Sequence, residues 1–200
     1  MYPYKPTKIK ISPAVIVLLA AFVWLSSAAL LAAMLLAALC HELGHYLALR
    51  LLGGWIDAIT ITPSGAEMHI APGKRLSYGG ELLATAAGPV TNLLLSVFFA
   101  FLGQYAAIFY LLAGVQLLLG LFNLLPVTPL DGSSILWLAT AWFTEPYTAD
   151  RVTANVGLAV AVFLLLMTAL LSSRTGGGGF LILMTIWLLL VSLRQRLQLT

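Results

Sequence analysis

Of 200 residues, 61% are hydrophobic and only 8% are charged, against roughly 25% charged in an ordinary soluble domain, which excludes a soluble fold and assigns the chain to a lipid bilayer. The net charge of +3 is carried by cations scattered among loops, not gathered in a patch, so no nucleic-acid partner is expected. A single cysteine, Cys40, excludes an intramolecular disulfide, and no stretch of soluble composition is long enough for a second core; the expectation is one membrane-embedded domain over residues 1–200, with no soluble domain.

Charged residues mark the ends of the spans, because a helix takes about 20 apolar residues to cross the hydrocarbon core. Between Lys10 and Arg50 the ionisable residues are His41, Glu42 and His45, leaving room for two helices with a turn near Ser26 and Ser27. The run "LSSAAL" offers small residues after an apolar stretch, but that stretch is longer than a usual signal-peptide core and reads as helix one. In "GWIDAITITPSGAEMHIAPGKR", Ile59 and Ile61 alternate with Thr60 and Thr62 ahead of a "PSG" turn, which predicts a short β-hairpin with His69 as a polar loop residue. Glu81 should open helix three, where the helix dipole favours an acid. No Asp, Glu, Lys, Arg or His lies between Glu81 and Asp131, giving two more helices with a turn near Gly103 and Gln104, the fourth broken by Pro126 and Pro129. Two further spans lie between Arg151 and Arg174 and between Arg174 and Arg194, separated by "SSRTGGGG". The expected fold is an all-α membrane protein of about six transmembrane helices, with a small β-hairpin between helices 2 and 3 and a proline-broken helix 4.

Alternating these spans from an inside N-terminus puts Lys5, Lys8, Lys10, Arg50, Lys74, Arg75, Arg151, Arg194 and Arg196 on one side and Arg174 on the other. That bias predicts that both termini are cytoplasmic.

The chemistry is concentrated in "HELGH", residues 41 to 45. Ionisable groups in a span cost a few kcal/mol, so three together mark function. Positions i and i+4 share a helical face, so His41 and His45 aim two imidazole nitrogens at one point while Glu42 flanks both. HExxH on a helix supplies two zinc ligands and a carboxylate able to take a proton from metal-bound water. His41 lies nine residues from Arg50, about 14 Å below that surface by helical rise. Catalytic zinc usually takes a third protein ligand, and one other acid ends a long apolar run: Asp131, in "FNLLPVTPLDGSSIL". The prolines there free backbone groups that must be buried in protein or line a wet cavity.

Three segments in order, "HELGH", "AAGPVTN" at residues 86 to 92 and "NLLPVTPLDG" at residues 123 to 132, resemble the site-2 proteases, zinc metalloproteases that cut peptide bonds within the membrane. The similarity covers roughly residues 10 to 145, with the motif core at about 28–145. It implies zinc held by His41, His45 and Asp131, Glu42 as general base, and Asn123 as a residue that helps to hold substrate, with one Zn2+ ion as cofactor. It also implies a membrane-tethered protein substrate and a membrane regulatory or inhibitory protein as partners. The expected hairpin corresponds to the family's membrane-facing sheet, whose edge would pair with an unwound substrate. The six-helix layout with a basic N-terminal tail looks most like the sporulation type that processes a sigma-factor precursor. No PDZ domain interrupts the motifs, and the sequence stops at Thr200 without that type's nucleotide-sensing domain.

Other polar residues are read from their setting. Gly88 and Pro89 open a kink that would turn Asn92 toward the site as a second substrate-binding candidate, although all three residues also serve helix packing. Cys40 points about 100° away from His41 and lines up with Gly44 and Ala48 as a small-residue ridge. Gln116 and Asn155 read as interhelical hydrogen-bonders. Two other function classes compete: a membrane zinc transporter, disfavoured because no relay of ligands follows the pair, and a catalytically silent partner protein, disfavoured because the base and all three ligands are present.

Overall fold

In lipid every backbone N–H and C=O has to be paired within the protein, a constraint that selects helix for apolar stretches of this length. The structure, a computed structural model, describes residues 8–199 apart from residues 14, 17–19, 21–22, 24–26, 63–64, 71–75 and 176–178. The first expected helix, before Ser26, lies largely outside the described residues. By packing, the chain divides into two units, Met1–Phe122 and Asn123–Thr200.

In the first unit, α1 spans Ala28–Leu51 and opens on Ser27, whose hydroxyl accepts from the Leu30 N–H at 3.3 Å, satisfying one donor of the first turn. It closes in a Schellman turn: Gly53 donates to the Arg50 carbonyl and Gly54 to that of Leu49, with Gly53 at φ +84°, a conformation glycine adopts without strain. The reversal feeds β2, Ile56–Thr62, which pairs antiparallel with β3, Gly65–Ile70. A third strand, β1 (Lys8–Ile11), runs parallel to β2 on its other edge. Two of these strands were expected and β1 was not: four residues of "KIKI" in a basic tail are too short to announce themselves, and their pairing is fixed by a partner about fifty residues away. His69, expected in a loop, lies in β3 opposite Ala58.

Helix α2, Tyr78–Leu102, is capped by Ser77 and carries Glu81 in its first turn, as expected. Its end at Gly103 is the expected turn, and α3 follows as Ala107–Asn123. Gly44 lets α1 approach α2 closely, since a Cβ there would lie 2.7 Å from the Ala87 carbonyl oxygen and against Thr91. Leu49, Ile56 and Ala84 form a buried cluster with Ala48, Ile59 and Leu76, tying the end of α1 to the sheet and to α2.

The helix that the prolines were expected to break ends at Asn123, and after the irregular segment 124–130, which holds both prolines, a separate helix, α4 (Asp131–Phe143), begins. Pro126 and Pro129 offer no N–H and bias the residues before them away from helical angles. Gly132 is required where this segment doubles back, because a Cβ would overlap the Leu124 and Leu125 carbonyls. Helix α4 escaped the charge-gap count because Asp131 and Arg151 stand too close to enclose a span. Then come α5, Pro146–Thr175, and α6, Gly179–Leu197, packed on one another, with α4 against α5. Gly157 of α5 lies beneath segment 124–130, its Cβ position 3.1 Å from the Pro126 carbonyl oxygen. Six helices are therefore described, though not the six expected. Three of them, α1, α2 and α5 as far as Arg174, are long and apolar enough to cross a membrane.

Candidate metal centre

The "HELGH" turn lies in the second half of α1, and its two histidines are fixed by different groups of α2. His45 Nδ1 stands 2.9 Å from the carbonyl oxygen of Ala84, which can only accept, so this nitrogen carries the proton. Pro89, fully buried within α2, gives no N–H to the carbonyl four residues before it and loosens the same stretch of helix. His41 is buried, and its Nδ1 lies 2.6 Å from Asn92 Oδ1. The amide orientation follows from the rest of the contact set: Asn92 Nδ2 donates to the Ala37 carbonyl at 3.2 Å and to Gln116 Oε1 of α3. Oδ1 therefore accepts, and His41 Nδ1 is also a donor.

A neutral imidazole protonated at Nδ1 carries its lone pair on Nε2, so these are the atoms through which His41 and His45 can bind a metal. These atoms face each other 3.0 Å apart, the rings nearly perpendicular at 85°. Two imidazole nitrogens converging at this spacing are a donor set that fits a metal.

Space for this arrangement comes from α2. A Cβ on Gly88 would overlap the His45 imidazole, so only glycine admits the ring. Sequence reasoning named Gly88 for a kink and missed this role; the signal was its place in "AAGPVTN", four residues before Asn92. Asn92, expected to face substrate, does reach His41, but its oxygen and nitrogen are both engaged within the protein. Its geometry is that of a group holding the His41 ring. Gln116 makes the interhelical hydrogen bond expected of it, whereas Asn155 is exposed and lines a surface cavity.

Glu42 is half-buried on the same turn, and the start of β3 passes close by: a Cβ at Gly65 would lie 3.3 Å from Glu42 Oε1. In the second unit, Asp131 is the first residue of α4, where the helix dipole favours the carboxylate, and Asn123 is the buried last residue of α3.

Two family models match: the M50B-like peptidases over residues 14–130, more than half of the chain, and peptidase family M50 over residues 102–167. The chain belongs to this family of membrane peptidases, the site-2 proteases. It is 29% identical over 133 residues to the zinc metalloprotease MJ0392 of Methanocaldococcus jannaschii, covering 63% of this chain and 38% of that protein. It is 33% identical over 148 residues to Rip3 of Mycobacterium tuberculosis, covering 69% of this chain and 36% of that one. The chain thus spans little more than a third of the length of the curated relatives it matches. Among solved structures, the site-2 protease from Methanocaldococcus jannaschii shares the fold, with a TM-score of 0.68 at 23% identity over 96% of this chain and 93% of that one.

Proposed function

We propose that this chain is a zinc-dependent intramembrane endopeptidase in which both units act as one membrane-embedded metalloprotease domain. The observation that carries the reading is the pair of Nε2 atoms 3.0 Å apart, with the Nδ1 atom of each ring held by α2. Two imidazole nitrogens on a tetrahedral zinc, at about 2.0–2.1 Å each, stand about 3.3 Å from one another, close to this spacing.

His41 and His45 hold the ion, and Asp131 completes the protein ligands; the third assignment rests on the resemblance of "NLLPVTPLDG" to the family's second motif. When bound, zinc supplies Lewis acidity toward a peptide carbonyl and acidifies water. Glu42, one residue from His41, accepts the proton of the attacking water and then delivers it to the departing amine, which leaves protonated while the C–N bond breaks. Asn123 donates a hydrogen bond to the substrate backbone or to its developing oxyanion. The edge of β3, beginning beside Glu42, receives the cleaved segment in extended form, since a transmembrane helix hides the amides that hydrolysis must reach.

The substrate we propose is a membrane-tethered protein, with a sigma-factor precursor as its particular form on the resemblance to the sporulation type, and a membrane regulatory protein as restraint. Both termini face the cytoplasm. The test compares wild type with Glu42→Gln, co-expressed with single-pass candidate substrates. The variant is expected to retain one zinc per chain by elemental analysis while the shortened product disappears, a loss of about 100-fold or more. Zinc flux into proteoliposomes with no cleavage by wild type would overturn the protease in favour of a transporter.

A further inference from the structure

Away from the histidines, the start of α5 lies beside the end of α6, and between them is a cavity of about 300 Å³ lined by Tyr147, Arg151, Ala154, Asn155, Arg196 and Leu199. Its polar groups are two guanidinium ions, an amide and a phenol, a set of hydrogen-bond donors with a strong bias for an oxyanion. The Arg151 guanidinium carbon stands 5.7 Å from the centre of the Tyr147 ring, a cation–π contact that holds the cation at the rim. The adjacent acid is engaged by α4: Asp150 Oδ1 accepts from Trp137 Nε1 at 2.6 Å.

The position of the cavity identifies the kind of anion. Residues 152–173 of α5 and 179–193 of α6 contain no charged side chain, and the cations appear where those apolar lengths stop. With α5 and α6 spanning the bilayer and the termini cytoplasmic, as proposed above, that transition meets the lipid headgroups, and basic pockets between helix ends on that side suit their phosphates. Leu199 and Ala154 give the same cavity an apolar wall for an acyl chain to meet. The geometry points to a binding site for the phosphate of an anionic phospholipid, with Arg151 and Arg196 as paired ligands and Asn155 as a neutral donor. A soluble phosphate shares the chemistry of the headgroup but not the apolar contact. None of these residues belongs to the metal centre, so this site stands or falls separately from the protease reading.

Native mass spectrometry of the full chain released from detergent, with phosphatidylglycerol and phosphatidylcholine offered separately, tests the assignment. Wild type is expected to retain phosphatidylglycerol over phosphatidylcholine, and Arg151→Gln with Arg196→Gln to lose that retention by about tenfold or more. The pair Arg151→Lys with Arg196→Lys should keep part of it, since lysine preserves charge but not the bidentate fork. Equal retention of the two lipids by wild type, or unchanged retention by the double glutamine variant, overturns the site. Displacement of phosphatidylglycerol by millimolar inorganic phosphate assigns it to a soluble ligand and overturns the lipid. If the double variant does not fold, Arg196→Gln alone, in the last turn of α6, provides the same reading.

Discussion

A histidine presents a defined lone pair to a metal only when its other nitrogen is already bonded, and here α2 makes both choices: Asn92 for His41 and the Ala84 carbonyl for His45. Asn92→Ala should therefore lower zinc affinity by about 10–100-fold in a chelator competition without unfolding the chain, because the imidazole loses its orientation but not its ligand atom. Unchanged affinity would remove Asn92 from the centre. Gly88→Ala should act on His45 by displacing the ring, with loss of bound zinc and preserved helical circular dichroism. At this scale the sequence was informative in one respect and silent in another. The i, i+4 spacing of His41 and His45 and the flanking Glu42 could be read directly, because a helix fixes which of its own residues share a face. Which atom of α2 would meet each imidazole depends on how two helices pack, and neither periodicity nor charge spacing carries that information.

The elements bring a strand to the HELGH turn as well as helices to each other. Gly65 begins β3 at φ +132°, a left-handed conformation, with the carboxylate of Glu42 close to where its side chain would be. Gly65→Val should reduce cleavage sharply while zinc content stays at the wild-type value; removal of residues 63 to 69 should abolish cleavage with the same retention. Loss of zinc in either variant would show that the strand supports the metal centre and not the substrate. Gly44→Val should instead push α1 off α2, costing about 1–3 kcal/mol in a detergent unfolding titration. The hairpin was legible from the alternation of Ile59 and Ile61 with threonine. The parallel partner Lys8–Ile11 and the separate helix α4 were not, since one depends on long-range pairing and the other is too short to register as a span.

For the molecule as a whole, composition was the most informative property, because 8% charge leaves few places where a helix can end at water. Charge gaps located α1, α2, α3 and α5 and missed α4, which begins at Asp131, where the gap ends. The same charges carry the prediction that tags at both ends of the chain are digested by protease added to inverted membrane vesicles and protected in right-side-out ones. Protection of either tag in inverted vesicles would refute a cytoplasmic pair of termini. The central claim, that His41, His45 and Asp131 together hold zinc, is reached most directly by X-ray absorption at the zinc edge on the purified wild type and on Asp131→Ala. The account predicts one zinc per chain with two imidazole nitrogens at about 2.0–2.1 Å and a carboxylate oxygen that disappears in the variant along with most of the affinity. A protein that binds no zinc, or a spectrum identical in the two proteins, would contradict it.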